Sequence, residues 1–208
     1  MSKQHPLRIA IFVSGGGTNM QAIIDAKKAG KIPYGEIALV LASNDKAYAL
    51  TRAEQNSIPS VVVRRKAYAT AVEYDDAILS VLREHEIDLV VLAGFLSIIG
   101  EKVIAAYPER IINVHPSLIP SFCGDGFYGL KVHEAALAKG VKVTGATVHF
   151  VNEITDGGRI IAQKAVEVKE GDTPEILQRR VMEQAEWILL PQAVADLSES
   201  YEPLYERK

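Results

Sequence analysis

An α/β fold is predicted: a single domain with a mainly parallel sheet, helices on both faces and an antiparallel C-terminal extension. Three features of the sequence predict it. Short β-branched apolar runs alternate with segments of helical periodicity from residue 8 to about residue 120, the pattern of successive βαβ units. The first run leads straight into a Gly-rich turn and a helix. After Pro120 the rhythm changes to two longer strand-like runs joined by a short acidic turn, and a connection that short makes the pair antiparallel.

Taken in order, residues 8–13 (RIAIFV) form an unbroken apolar run, as expected of a central strand covered on both faces. The turn Ser14-Gly15-Gly16-Gly17-Thr18-Asn19 follows. Met20, Ile23, Ile24 and Ala26 then mark a helix that stops near Gly30. Strands are expected at 37–42, 58–63 and 87–93, with a helix marked by Tyr74, Ile78, Val81 and Leu82 between the last two. Residues 94–100 form a loop running into a short helix that ends at Tyr107-Pro108, and 111–114 is the next strand. Residues 121–129 (SFCGDGFYG) hold three glycines and no periodicity, which predicts a mobile surface loop. A helix covers 130–139, and strands cover 144–151 and 160–168. From Thr173, Thr-Pro-Glu starts a further helix with an N-cap and a proline at the first helical position. Ile176, Leu177, Val181, Ala185, Ile188 and Leu189 carry that helix inward. The polar tail, 198–208, is expected to fray.

Composition narrows the function. Apolar residues at 48% and charged residues at 24% are those of an ordinary soluble globule. A net charge of −3 argues against a nucleic-acid partner, which favours a basic face. No apolar run is long enough to span a bilayer, so no membrane partner is expected. The N-terminus lacks a signal-peptide pattern and the lone Cys123 cannot form an internal disulfide, which together predict a reduced, cytoplasmic protein.

Three places carry chemistry. At 14–19, a strand, a Gly-rich turn and a helix N-terminus put free amides and the positive end of a helix dipole at one point, which suits an anion. No Lys-Ser or Lys-Thr follows, so this is not a nucleotide P-loop. Met20 stands where a dinucleotide fingerprint has its third glycine, and the next strand ends Ser43-Asn44 with no acid until Asp45. A phosphate site survives these exclusions; the plain alternative is a tight turn capped by Thr18 or Asn19 with no ligand. At 111–116, Asn113 and His115 are polar in a buried strand and share one face, before Pro116 stops the ladder. They are either a small polar site at a strand's carboxyl end or a core pair that satisfies itself. Asp156 lies in the acidic turn before two glycines. An imidazolium and an amide N–H can stabilise a developing oxyanion, and a carboxylate beside the imidazole raises its pKa and fixes its orientation. No serine or cysteine hydrolase signature is present. A metal site from Cys123, His133, His149 and Asp156 matches no known ligand spacing, so no metal is expected.

The run Asn113-Val114-His115-Pro116-Ser117-Leu118-Ile119-Pro120, with Asp156-Gly157-Gly158, resembles the folate-dependent formyltransferase family. The turn at 14–19 resembles the branch of that family that acts on a ribose phosphate in purine biosynthesis. The likeness runs from Arg8 to about Ala195. It implies one Rossmann-like formyltransferase domain over 1–208, with a phosphate-binding half at 8–120 and a folate-binding half at 121–197. It implies transfer of the formyl group of 10-formyltetrahydrofolate, as co-substrate, to the amine of 5′-phosphoribosylglycinamide, by a monomer or homodimer without a metal. Asn113, His115 and Asp156 match the family's catalytic trio. Gly15, Gly16, Gly17, Thr18 and Asn19 match the turn that holds the substrate phosphate. Leu96, Ser97, Ile98 and Ile99, with Asn113 and the loop Asn152, Glu153, Ile154, Thr155 and Asp156, match the folate pocket. Glu186 matches a further substrate contact, with Glu183 as rival. The likeness also implies a cis Ile119–Pro120 bond.

The chain departs from the family in three places. Ser97 stands where many members carry Arg. Ala71 or Val72 replaces a folate-contacting Arg of some members, with Arg64 or Arg65 nearby as substitutes. The loop from Cys123 to Gly129 is longer and richer in glycine. Two other readings stay open: a formyltetrahydrofolate deformylase, using the same trio on water, and a non-catalytic sugar-phosphate-binding module. A family member acting on transfer RNA would be expected to add a C-terminal domain and basic surface.

Overall fold

The computed structural model describes residues 5–200. Seven strands form one sheet in the order β3-β2-β1-β4-β5-β6-β7. They are β1 (Leu7–Val13), β2 (Gly35–Ala42), β3 (Ser60–Val62), β4 (Leu89–Leu92), β5 (Ile111–His115), β6 (Val143–Phe150) and β7 (Ile160–Glu167). Strands β1 to β5 pair in parallel; β5–β6 and β6–β7 pair antiparallel. The order reverses between β1 and β4, so the crevice beyond their carboxyl ends is the place where such a sheet binds ligands.

Seven helices cover the sheet: α1 (Thr18–Lys28), α2 (Ala49–Gln55), α3 (Ala71–Glu84), α4 (Glu101–Ala106), α5 (Leu130–Lys139), α6 (Pro174–Val181) and α7 (Trp187–Ser200). Alternation along the central strands feeds two cores. Ile9, Ile11, Val13, Ile112 and Val114 pack with Ile23, Leu177 and Leu190, which lie on α1, α6 and α7. Ala10, Phe12, Val90, Leu92 and Ile111 pack with Tyr74, Ile78 and Leu82 of α3 and Val103 of α4. Asn113 and His115 follow Ile111 on this second face. There α3 and α4 give way to loops, which is why polar side chains can stand on it. Helix α4 begins where the buried Asp75 carboxylate accepts the Gly100 and Lys102 amides at 3.0 and 3.2 Å, satisfying donors that a helix start leaves open. Thr173 caps α6 ahead of Pro174, as the sequence predicts.

The structure departs from the sequence reading at four points. Residues 198–200 belong to α7, and Ser198 is fully buried, so no fraying begins there; 201–208 lie outside the described residues. The helix from Thr173 is broken by one π-turn at Met182–Glu186, which inserts a residue and rephases its faces. Ile176, one position off the buried face of Leu177 and Val181 on α6, and Ile188, beyond the π-turn, are each 50% exposed instead of inward. Helix α2 was not anticipated. The loop at 121–129, expected to be mobile, is tied to the sheet: His115 holds the Phe122 carbonyl, the Gly124 amide donates to Asp156, and Thr155 donates to Asp125. Among the described residues no helix is long and apolar enough to cross a membrane.

Candidate active site

The carboxyl ends of β1, β4 and β5 bring three segments to one edge. Ser14, just past β1, joins two of them: its amide donates to the Gly94 carbonyl at 3.1 Å, and its hydroxyl accepts from the Leu96 amide at 2.8 Å. Gly17 has φ 71°, and a Cβ there would lie 2.7 Å from the Ala49 methyl, so both conformation and close packing demand glycine. Gly15 and Gly16 are exposed, with open space around them. No side chain caps α1, so the reading of a turn capped by Thr18 or Asn19 does not hold. The helix's first amides are left for something else.

Asn19 has a different partner. Its Nδ2 donates to Glu186 Oε2 at 2.6 Å, while its buried Oδ1 has none. Glu186 sits in the π-turn with 6% exposure, and burial pushes its carboxyl up to about 7 against the single opposing bond from Asn19. The rival Glu183 turns outward to Arg179 at 2.8 Å. Of the two acids, Glu186 is therefore the one that meets the glycine turn.

The second cluster is assembled by strand pairing. Asn113 lies opposite His149 and His115 opposite Thr147 across β5 and β6, and directly opposed residues share a face. Beside His149 the β6–β7 register slips, leaving Ile161 as an extra residue, and bulges of this kind re-aim side chains next to sites. Asn113 Nδ2 is 3.2 Å from His149 Nε2, and His149 Nδ1 is 2.8 Å from the Phe150 carbonyl. The Phe150 carbonyl can only accept, so Nδ1 donates to it, and Nε2 faces the Asn113 amide on one side and Asp156 on the other. Asp156 closes the group. Its Oδ2 is 3.4 Å from His115 Nδ1 and its Oδ1 3.5 Å from His149 Nε2. The turn that delivers it needs Gly158, where a Cβ would meet the Phe150 carbonyl at 1.7 Å; Asp156 itself has φ 54°.

Charge in this cluster is set by competition. Burial works against ionisation of Asp156, but His149, the Gly124 amide at 2.8 Å and the charge of His115 outweigh it. The carboxyl is held below the usual carboxylate range. His115 Nε2 is 2.9 Å from the Phe122 carbonyl, so both ring nitrogens face acceptors, the arrangement an imidazolium satisfies completely. Burial nevertheless holds its pKa below the ordinary histidine value, with the Phe122 carbonyl and Asp156 pulling it back up. Cys123, between the two loop groups, has its thiol pushed up by burial and by Asp156, which is the wrong direction for a thiolate nucleophile.

Leu96, Ile98 and Ile154 stand 66%, 87% and 67% exposed, an apolar surface left open on the two loops matched to the folate pocket. Ser97 is half-buried and Ile99 belongs to the core instead. Asn152 ties down its own loop by accepting the Ile154 amide, with Glu153 and Thr155 exposed beside it. The two arginines considered as substitutes are engaged elsewhere. Arg64 pairs with Asp45 at 2.8 Å, and Arg65 donates to the Tyr68 carbonyl and lies over the Tyr74 ring. The Ile119–Pro120 bond is cis. Among the described residues no group of three or more His, Cys, Asp or Glu side chains is arranged to hold a metal. Sequence reasoning missed the part played by His149 and the two backbone groups of 122–124. The signal for His149 was its place on the Asn113 face once β5 and β6 are paired.

An open α/β sheet with an anion-type turn and an Asn–His–Asp cluster beyond its switch point defines a ligand-binding domain with acid–base groups in the cleft. The formyl transferase family model matches residues 7–194, and the chain belongs to that family. Phosphoribosylglycinamide formyltransferase of Haemophilus influenzae is 41% identical over 177 residues, covering 85% of this chain and 81% of that protein. The chloroplastic phosphoribosylglycinamide formyltransferase of Arabidopsis thaliana is 40% identical over 176 residues, 84% of this chain. The chain spans only 60% of that relative's length. The crystal structure of glycinamide ribonucleotide transformylase 1 from Symbiobacterium toebii matches with a TM-score of 0.88 at 40% identity, covering 94% of this chain and 89% of that one.

Proposed function

We propose that the chain transfers the formyl group of 10-formyltetrahydrofolate to the amine of 5′-phosphoribosylglycinamide, a step of purine biosynthesis. The observation that carries this reading is the cluster of Asn113, His115, His149 and Asp156, which combines donors and a buried carboxylate without an activated nucleophile of its own. Such a site suits direct attack. The amine adds to the formyl carbon, and negative charge develops on the formyl oxygen. The Asn113 side-chain amide supplies a donor, and His115, when protonated, adds a positive charge beside it. Collapse breaks the carbon–nitrogen bond to the folate, whose nitrogen takes a proton while the amine gives one up. Holding amine and formyl carbon together contributes roughly 7–11 kcal/mol of the lowered barrier.

The substrates follow from three supports: the names of the relatives, the uncapped turn at 15–19 for a phosphate, and the open apolar side chains of Leu96, Ile98 and Ile154 for a pterin. Asn19 and Glu186 stand beside the turn to meet the glycinamide end. The test is an assay of the purified chain with both substrates, following formylated product and tetrahydrofolate. Formate released without an amine acceptor would make the chain a deformylase. Phosphate binding with no folate binding and no turnover would reduce it to a sugar-phosphate-binding module.

A further inference from the structure

The turn at 14–19 supplies amides, and a helix N-terminus carries only about half an elementary charge. A phosphate monoester at neutral pH carries about −1.5 to −2. A formal cation is missing from the account, and helix α2 provides one. Ala49 of α2 packs against Gly17, and the Ala49 amide donates to the Gly15 carbonyl at 3.1 Å, so this helix is docked on the turn itself. One turn further on, Arg52 Nε donates to the Gly16 carbonyl at 2.8 Å. One terminal nitrogen reaches Gln21 Oε1 at 3.3 Å, Gln21 in turn donates to Asp25, and the Tyr48 ring lies 5.2 Å from the guanidinium carbon. These contacts fix the plane of the guanidinium by its inner edge and leave N–H groups of its outer edge unused.

The contrast with the other arginines is what makes Arg52 informative. Arg8, Arg64, Arg159, Arg179 and Arg180 each have a carboxylate within ion-pair distance; among the described residues Arg52, like Arg65 and Arg83, has none, and of these three only Arg52 is bonded to the glycine turn. It lines an open groove of about 600 Å³ between α1 and α7, together with Thr18 and Gln21. The buried, unpartnered Asn19 Oδ1 marks the other side of the turn as an incomplete polar site. An oriented, unpaired guanidinium bonded to the backbone of an anion-type turn is built for a planar, multi-oxygen anion.

We propose that Arg52 is the counter-charge of the substrate phosphate and sets the preference for a phosphorylated acceptor over its dephosphorylated form. This rests on the ribose phosphate occupying residues 15–19. The test compares the parent chain with Arg52→Gln and Arg52→Lys, using the phosphorylated acceptor, the dephosphorylated acceptor and inorganic phosphate as competitor. In Arg52→Gln the KM for the phosphorylated acceptor should rise roughly 10-fold to 100-fold, the scale of a lost charge-assisted bond. The change should fall on KM far more than on kcat, and inhibition by inorganic phosphate should weaken in step. Arg52→Lys, which keeps the charge and loses the fork, should recover part of the loss. If Arg52→Gln weakens both acceptors and the folate equally, Arg52 is only a strut of the turn and the proposal falls. If the parent chain is not inhibited by inorganic phosphate and does not distinguish the two acceptors, the ribose-phosphate reading falls as well. Parent inhibition that survives unchanged in Arg52→Gln overturns the role of Arg52 alone.

Discussion

Two buried carboxyl groups at the same end of the sheet are held in opposite states. The Asp156 side chain is 9% exposed and is held below the usual carboxylate range; Glu186 is 6% exposed and is pushed up to about 7. Glu186 lies the deeper of the two, and donors widen the gap: Asp156 is met by the Gly124 amide, His149 and His115, whereas Glu186 has Asn19 alone. A buried carboxylate stays charged where the chain surrounds it with donors, and takes up a proton where it does not. One fold thereby keeps a carboxylate beside the imidazole and a titratable acid at the glycine turn.

The largest effect expected from disturbing this contrast is at Asp156. Asp156→Asn keeps the shape and removes the anion that pulls the buried His115 back toward its protonated form. A fall in kcat of at least about 10²-fold is expected at every pH, the scale of losing one oxyanion-stabilising group. Turnover near the parent rate would make Asp156 a turn residue only.

Glu186 gives the second effect, read in stability. Its folded-state pKa lies above the unfolded value of 4.5, so the fold holds the protonated form. Its contribution is fully present below about pH 4.5 and is lost as pH rises through about 7. Glu186→Gln removes the titration and can still accept from Asn19. Denaturant titrations from pH 4 to 8 should show the parent losing on the order of 3 kcal/mol relative to Glu186→Gln across that window. Parallel curves for the two proteins would place the Glu186 proton elsewhere.

The smallest effect tests the donor count directly. His149→Phe keeps the ring and removes the nitrogens that serve Asn113 and Asp156. The Asp156 pKa, followed by carboxyl carbon NMR, should climb, because one of the groups that hold it down is gone. The Asn113 amide should lose its single fixed orientation in the same spectra. An unmoved titration would mean that Gly124 and His115 suffice.

What could be read from the sequence followed from how local each feature is. The succession of strands along the chain, the antiparallel pair at its end and the cap at Thr173 rest on neighbouring residues, and the structure has them where periodicity and turn chemistry put them. Helix α2 escaped because only the small Ala49 and Ala53 are fully buried, and Leu50, its one large apolar side chain, is too little to mark a repeat. The π-turn escaped because a 3.6-residue repeat has no term for an inserted residue, which is also why Glu183 rivalled Glu186. Asn113 and His115 showed themselves by being polar in an apolar strand. His149 stands 34 residues beyond His115 and joins them only through the β5–β6 register, a relation that no window of the sequence contains. The loop at 121–129 looked featureless because its ties to His115 and Asp156 run through backbone groups, which every residue possesses.

The outer strand of the antiparallel extension has a bearing on self-association. β7 ends the described sheet with an edge eight residues long, and such an edge invites strands from neighbouring molecules. Three features guard it. Gln163, Lys164 and Glu167 are exposed along it, Arg180 takes the Glu167 carbonyl, and the extra residue Ile161 breaks its register. The same irregularity that aims His149 into the cleft thus spoils the strand as a template. Exchanging Lys164 and Glu167 for valine would leave the cleft groups in place and strip both charged side chains from this edge. Molecules so altered would gather edge to edge as concentration rises, seen as growing light scattering.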